Sequence, residues 1–186
     1  MWLRLIVVAF VLFSIVVIVL QVNELPSGTV QSAASSGPST PSGMPDQSVT
    51  DPAVMQRVND LEKEVSADPK NAPLVLQFAN ALHDARFYPR AITQYSNYLK
   101  LVPTNLDARV DLGICYFETG ETDLAVKTVE QVVKENPKHQ MAMFNLGIIH
   151  LSSQHLEEAK VWFRRCVELD PQSTAGQKAQ QILQQH

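Results

Sequence analysis

Little in this chain invites chemistry. Cysteine occurs twice, tryptophan twice and glycine seven times in 186 residues. Cys115 and Cys166 are too few for a disulfide framework, and both fall in apolar periodic runs, so they read as buried free thiols rather than a disulfide or redox pair. The formal net charge is -4. No run of Lys and Arg forms the stripe that neutralises phosphate, which argues against nucleic acid as a ligand. Gly-x4-Gly-Lys, the dinucleotide glycine pattern, His-Glu-x2-His and Gly-x-Ser-x-Gly are all missing, so no nucleotide, metalloprotease or serine-hydrolase site is legible. His150 and His155 stand five apart across an expected helix end and do not share a face, so with His139 they make no metal site by spacing. The sequence calls for no cofactor and reads as a non-enzymatic protein.

What is present divides into three segments. From Leu5 to Asn23 no residue is charged, and nineteen residues at about 1.5 Å each span roughly 28 Å, a bilayer's hydrocarbon thickness. Residues 1–22 are therefore expected to be a retained transmembrane anchor, with Trp2 at the interface. The apolar core exceeds a usual signal-peptide core, and the nearest small-residue cleavage pattern, Ser32-Ala33-Ala34, lies twelve residues beyond it. Arg4 precedes the span and Glu24 follows it, with no Lys or Arg until Arg57. The positive-inside tendency then places the amino terminus in the cytoplasm and the rest outside it, the arrangement of a bacterial inner-membrane protein with a periplasmic domain. Residues 23–50 are rich in Ser, Pro, Gly and Thr, lack aromatics, and are expected to be a disordered tether.

The third segment repeats. Pro69, Pro103, Pro137 and Pro171 recur every 34 residues. Phe78-Ala79, Leu112-Gly113 and Leu146-Gly147 return at the same interval, as do Leu82, Tyr116 and His150. Ala91, Ala125 and Ala159 are each followed four residues later by Tyr95, Val129 and Phe163. Small residues belong where two helices approach closely, large ones fill the space between pairs, and each Pro stops a helix. Pro89 suits a first helical turn, Thr122 precedes a helical run, and Asn105 and Ser173 are expected caps.

This period and order resemble the tetratricopeptide-repeat family, over residues 72 to 171. The resemblance implies an all-α fold, a right-handed superhelix of antiparallel helix pairs with about three repeats, at 72–105, 106–139 and 140–173. A leading helix in 51–71 carries Val54, Val58, Leu61 and Val65 at helical spacing. A capping helix in 174–186 carries Ala175, Ala179, Ile182 and Leu183. Val75, Arg109 and Met143 stand where the family has Trp, and Leu82 and His150 where it has Tyr. Trp162 is expected to pack on the outer surface.

The resemblance further implies a concave wall built from each repeat's first helix. Residues placed there by analogy are Gln77, Asn80, His83 and Asp84, then Asp107, Val110, Asp111, Ile114, Phe117 and Glu118, and then Phe144, Asn145, Ile148 and Leu151. The Lys and Arg with which the family's chaperone-binding branch holds a terminal carboxylate have no counterparts. An apolar floor beside Asp84, Asp107, Asp111 and Glu118 implies a groove for an apolar or amphipathic polypeptide segment with some positive charge. The expected function is a membrane-anchored scaffold that assembles or chaperones an envelope complex. The alternatives are a structural subunit, self-associating through the groove, and a cytosol-facing organelle receptor.

Overall fold

Helix starts recur with the period of the sequence. The computed structural model describes residues 51–186; the expected membrane helix at 1–22 and linker at 23–50 lie outside the described residues. Eight helices occur among the described residues, and no strand: α1 (Pro52–Ala67), α2 (Ala72–Asp84), α3 (Tyr88–Leu101), α4 (Leu106–Glu118), α5 (Thr122–Glu135), α6 (Gln140–Ser152), α7 (Leu156–Leu169) and α8 (Thr174–Gln185). None of them is long and apolar enough to cross a membrane.

Asn71, Asn105, His139 and Ser173, each 34 residues after the last, cap α2, α4, α6 and α8. Each side chain accepts from the backbone N–H three residues on, at 3.3, 3.0, 3.3 and 2.9 Å. One otherwise orphaned donor is thereby satisfied at every start. Asn105 and Ser173 are the caps expected from the sequence; His139 fills the same place with a ring nitrogen.

The second helix of each pair starts differently. Phe87, Glu121 and His155 precede α3, α5 and α7 without a side-chain bond, and Thr122 lies inside its helix rather than capping it. Instead the N–H groups of Phe87, Glu121 and His155 return to the carbonyls of Leu82, Tyr116 and His150. Those of Arg86, Gly120 and Gln154 return to His83, Phe117 and Leu151. This double closure ends the first helix and requires one left-handed residue. Arg86, Gly120 and Gln154 supply it, with φ of 58°, 85° and 64°. Gly120 does so without penalty, whereas a residue bearing a Cβ costs about 1–2 kcal/mol there.

The pairs α2–α3, α4–α5 and α6–α7 pack as hairpins, with α1 against α2 and α8 against α6 and α7. Close approach dictates glycine at two crossings: a Cβ on Gly113 would overlap Val129, and one on Gly147 would overlap the Phe163 ring. Ala91, Ala125 and Ala159 answer from the partner helices, fully buried. Helix α4 feeds two apolar clusters. Its Ala108, Leu112 and Cys115 join Val58, Leu61, Phe78 and Tyr95; its Val110 joins Val129, Leu146, Phe163 and Cys166. First helices touch across repeats, α4 on α6 and α6 on α8, while α3, α5 and α7 are held apart. The array therefore curves with α4, α6 and α8 on the inside.

Candidate binding groove

The inner wall presents an apolar strip. Ile114 and Phe117 of α4 and Phe144, Ile148 and Leu151 of α6 are each half-buried, resting on the second apolar cluster with one side still open. Phe144 is backed by Phe163 at a ring-centroid distance of 5.8 Å. Val110 is not part of this strip. Only 2% exposed, it is core: the helix turn that leaves Ile114 and Phe117 at the surface carries Val110 into the cluster of α5 and α6 side chains. A ligand on the strip therefore cannot reach it.

Polar groups flank the strip and most are already engaged. Asn80 is exposed, and its carbonyl oxygen accepts from the Tyr95 hydroxyl at 2.9 Å. His83 stands edge-on to the rings of Tyr88 and Tyr95, with Nδ1 3.6 Å from Asp84. Asp107 lies 3.2 Å from Nε2 of His139. Because Nδ1 of His139 accepts the α6 cap bond, the neutral ring carries its proton on Nε2 and donates it to Asp107. One histidine thus ties the start of α4 to the start of α6. Gln77, Asp84 and Glu118 are exposed, and Asn145 is half-buried.

Asp111 is the unusual carboxylate. Burial raises its pKa, Asp107 and Asp84 push the same way, and His83 opposes them. A raised carboxyl pKa means the folded state binds its proton more tightly than the unfolded chain does. The stabilisation is therefore complete below the unfolded value and is lost as pH rises through the folded value. Asp111→Asn is accordingly expected to raise the melting temperature at neutral pH, with the gain shrinking as pH falls into the carboxylate range. A gain independent of pH in calorimetry would refute that account.

Among the described residues no reactive thiol faces the strip. Burial pushes the Cys115 thiol up to about 12 and the Cys166 thiol up to about 11, so both are neutral and unreactive at physiological pH. On the opposite side of α6, His150 and His155 are neighbours, with ring centroids 5.9 Å apart beside a cavity of about 300 Å³ that Asp123 and Glu130 also line. Sequence spacing suggested otherwise; the closure bond from the His155 N–H to the His150 carbonyl folds the two positions together. Burial, then His155, lowers the pKa of His150. Among the described residues no three His, Cys, Asp or Glu come together as metal ligands.

Comparison with known proteins agrees with this architecture. Two family models, both described as tetratricopeptide repeat, match residues 82–143 and 116–174 and together span half of the chain. The chain is similar to the Photosystem I assembly protein Ycf3 of Prochlorococcus marinus (strain MIT 9301), 27% identical over 92 residues, covering 44% of this chain and 53% of that protein. It thus spans about half the length of that relative. Among solved structures it is similar to YrrB, described as a TPR protein with an unusual peptide-binding site, with a TM-score of 0.62 at 20% identity over 72% of this chain and 69% of that one. MamA, residues 41 to the end, from Desulfovibrio magneticus RS-1, gives 0.58 at 20% identity over 75% and 86%. At such identities the two structures speak for the fold alone.

Proposed function

This chain belongs to the tetratricopeptide-repeat family, and we propose that it is a membrane-anchored scaffold that holds another polypeptide on its inner wall during assembly or chaperoning of an envelope complex. The observation that carries this reading is the strip of Ile114, Phe117, Phe144 and Ile148, half-buried and open on one side, with Asp84, Asp107, Asp111 and Glu118 around it. An apolar floor with an acidic border suits an amphipathic segment whose apolar face docks and whose basic residues meet the carboxylates. No group along the strip is poised to break a bond, so binding rather than catalysis is its office. Ycf3 is named for assembly, which supports the same class of role.

Anchoring rests on the uncharged run from Leu5 to Asn23, and the periplasmic placement on Arg4 before it. A phosphatase fused after His186 is expected to be active in cells; an inactive fusion on a stably inserted chain would reverse the orientation.

The groove is tested on the partner recovered by photocrosslinking from Ile114 in native membranes. Phe117→Ala combined with Ile148→Ala should weaken that partner about 30- to 800-fold, since truncating central apolar contacts typically costs about 1–2 kcal/mol each. Both side chains are half-exposed, so the fold should survive, as a thermal melt will show. Unchanged affinity in a folded double variant sinks the groove.

A further inference from the structure

The outer side of the array carries a second opening, between α3 and α5 over the near face of α4. It is an open cleft of about 390 Å³ with Leu99 and Leu112 at its floor, and Leu124, 39% exposed, at its rim. The repeat supplies an internal comparison. One period later, at the α5–α7 joint, Met143 is 3% exposed and Trp162 is half-buried in the apolar cluster, with the Arg165 guanidinium 4.4 Å from the indole centroid. The corresponding residues at the α3–α5 joint are Arg109 and Thr128. Two large apolar side chains fill one joint, and a cation and a short hydroxyl stand in the other. A groove of about 320 Å³ persists beside Trp162, but there the indole itself is the wall.

Charge at the open joint is uneven. Arg109 is spent: it pairs with Glu135 at 2.6 Å and donates to the Pro103 carbonyl. Its guanidinium neutralises the cleft's one carboxylate. Lys127, on the same rim as Leu124, makes no ion pair among the described residues. The cleft is thus apolar at its floor, with the unpaired Lys127 ammonium at its edge, where it also borders the neighbouring cavity that Asp123 and Glu130 line.

We propose that the α3–α5 cleft is a second docking site, separate from the inner groove, taking a partner polypeptide that inserts an aromatic side chain beside a carboxylate. The aromatic ring takes the place that Trp162 fills at the next joint, and the carboxylate meets Lys127. The inner groove selects apolar residues with positive charge; this cleft selects an aromatic with negative charge.

The test uses the full chain and two small probes that differ in one charge, N-acetyl-L-tryptophan and N-acetyl-L-tryptophanamide, read by the methyl resonances of Leu99, Leu112 and Leu124. The acid should shift these methyls saturably, and the amide should bind about fivefold more weakly, the worth of one partly exposed ion pair. Lys127→Gln should remove that difference, and Thr128→Trp, which installs the aromatic in cis, should abolish binding of both. Overturning results are equally concrete. They are no shift at the three methyls, equal affinity of acid and amide for the native chain, or binding that persists in a folded Thr128→Trp. Shifts produced by raising protein concentration alone would put a second copy in the cleft. Shifts produced by Trp2→Ala without probe would put the chain's own amino-terminal segment there. Either would overturn the proposal.

Discussion

Phe163→Ala is expected to lower the free energy of unfolding by about 3–5 kcal/mol, the usual cost of emptying a buried aromatic site. The ring is 1% exposed and fills the crossing of α6 and α7: Gly147 lies against its edge, Phe144 covers it at 5.8 Å, and Cys166 follows on the same face. Gly147 has no side chain with which to fill the gap: its near neighbour is the Phe163 ring itself, so truncation leaves the glycine facing a cavity. Against a typical total of about 5–15 kcal/mol the loss is large enough to unfold the carboxyl-terminal half under mild denaturant. In arrays where each repeat contacts only its neighbours, such damage stays local first. Amide exchange should therefore accelerate in α6, α7 and α8 well before α1, α2 and α3. An unfolding free energy by urea titration within about 1 kcal/mol of the native chain's, or uniform loss of protection across all helices, would refute this account.

Gly176→Ala should cost nearly as much by a different route. At this position a Cβ would overlap the carbonyl oxygen of Asp170 and press on its carbonyl carbon and the Cα of Pro171, all backbone atoms that no rotamer change can move. The first turn of α8 has to lift, loosening the Ser173 cap bond and the burial of Ala175 and Ala179. We expect a loss of about 3 kcal/mol, at the upper end for a single overpacked methyl group. Loss of exchange protection should begin in α8 and uncover Phe163 from its open end. Gly120→Ala is the control, since a Cβ there meets nothing and only the left-handed φ of 85° resists. If the two alanines cost the same, backbone crowding is not what Gly176 relieves.

How far the sequence reached is instructive in its particulars. Pro69, Pro103, Pro137 and Pro171 mark the period, and the small residues at 79, 113 and 147 with 91, 125 and 159 mark the crossings, because steric exclusion acts on residue type alone. Capping by Asn105 and Ser173 was legible for the same local reason. His139 was not, since histidine seldom caps; the signal lay in its place, 34 residues after Asn105. Val110 was misplaced because a repeat pattern assigns a helix face but not how far the neighbouring helix closes over it. The meeting of His150 and His155 escaped linear spacing because a turn, rather than a helix, joins them. The outer cleft needed coordinates as well: the substitutions at 109 and 128 are visible in the sequence, but whether neighbouring chains refill the vacated volume is not.

Helix α4 lines both apolar clusters, and Tyr116 packs against each of them. It is a party wall. Among the described residues no seam separates the two clusters cleanly: a break before Leu106 takes Ala108, Leu112 and Cys115 from the first, and a break after Glu118 takes Val110 from the second. Sequence periodicity marks out interchangeable modules, whereas the packing makes α4 common property of the two clusters.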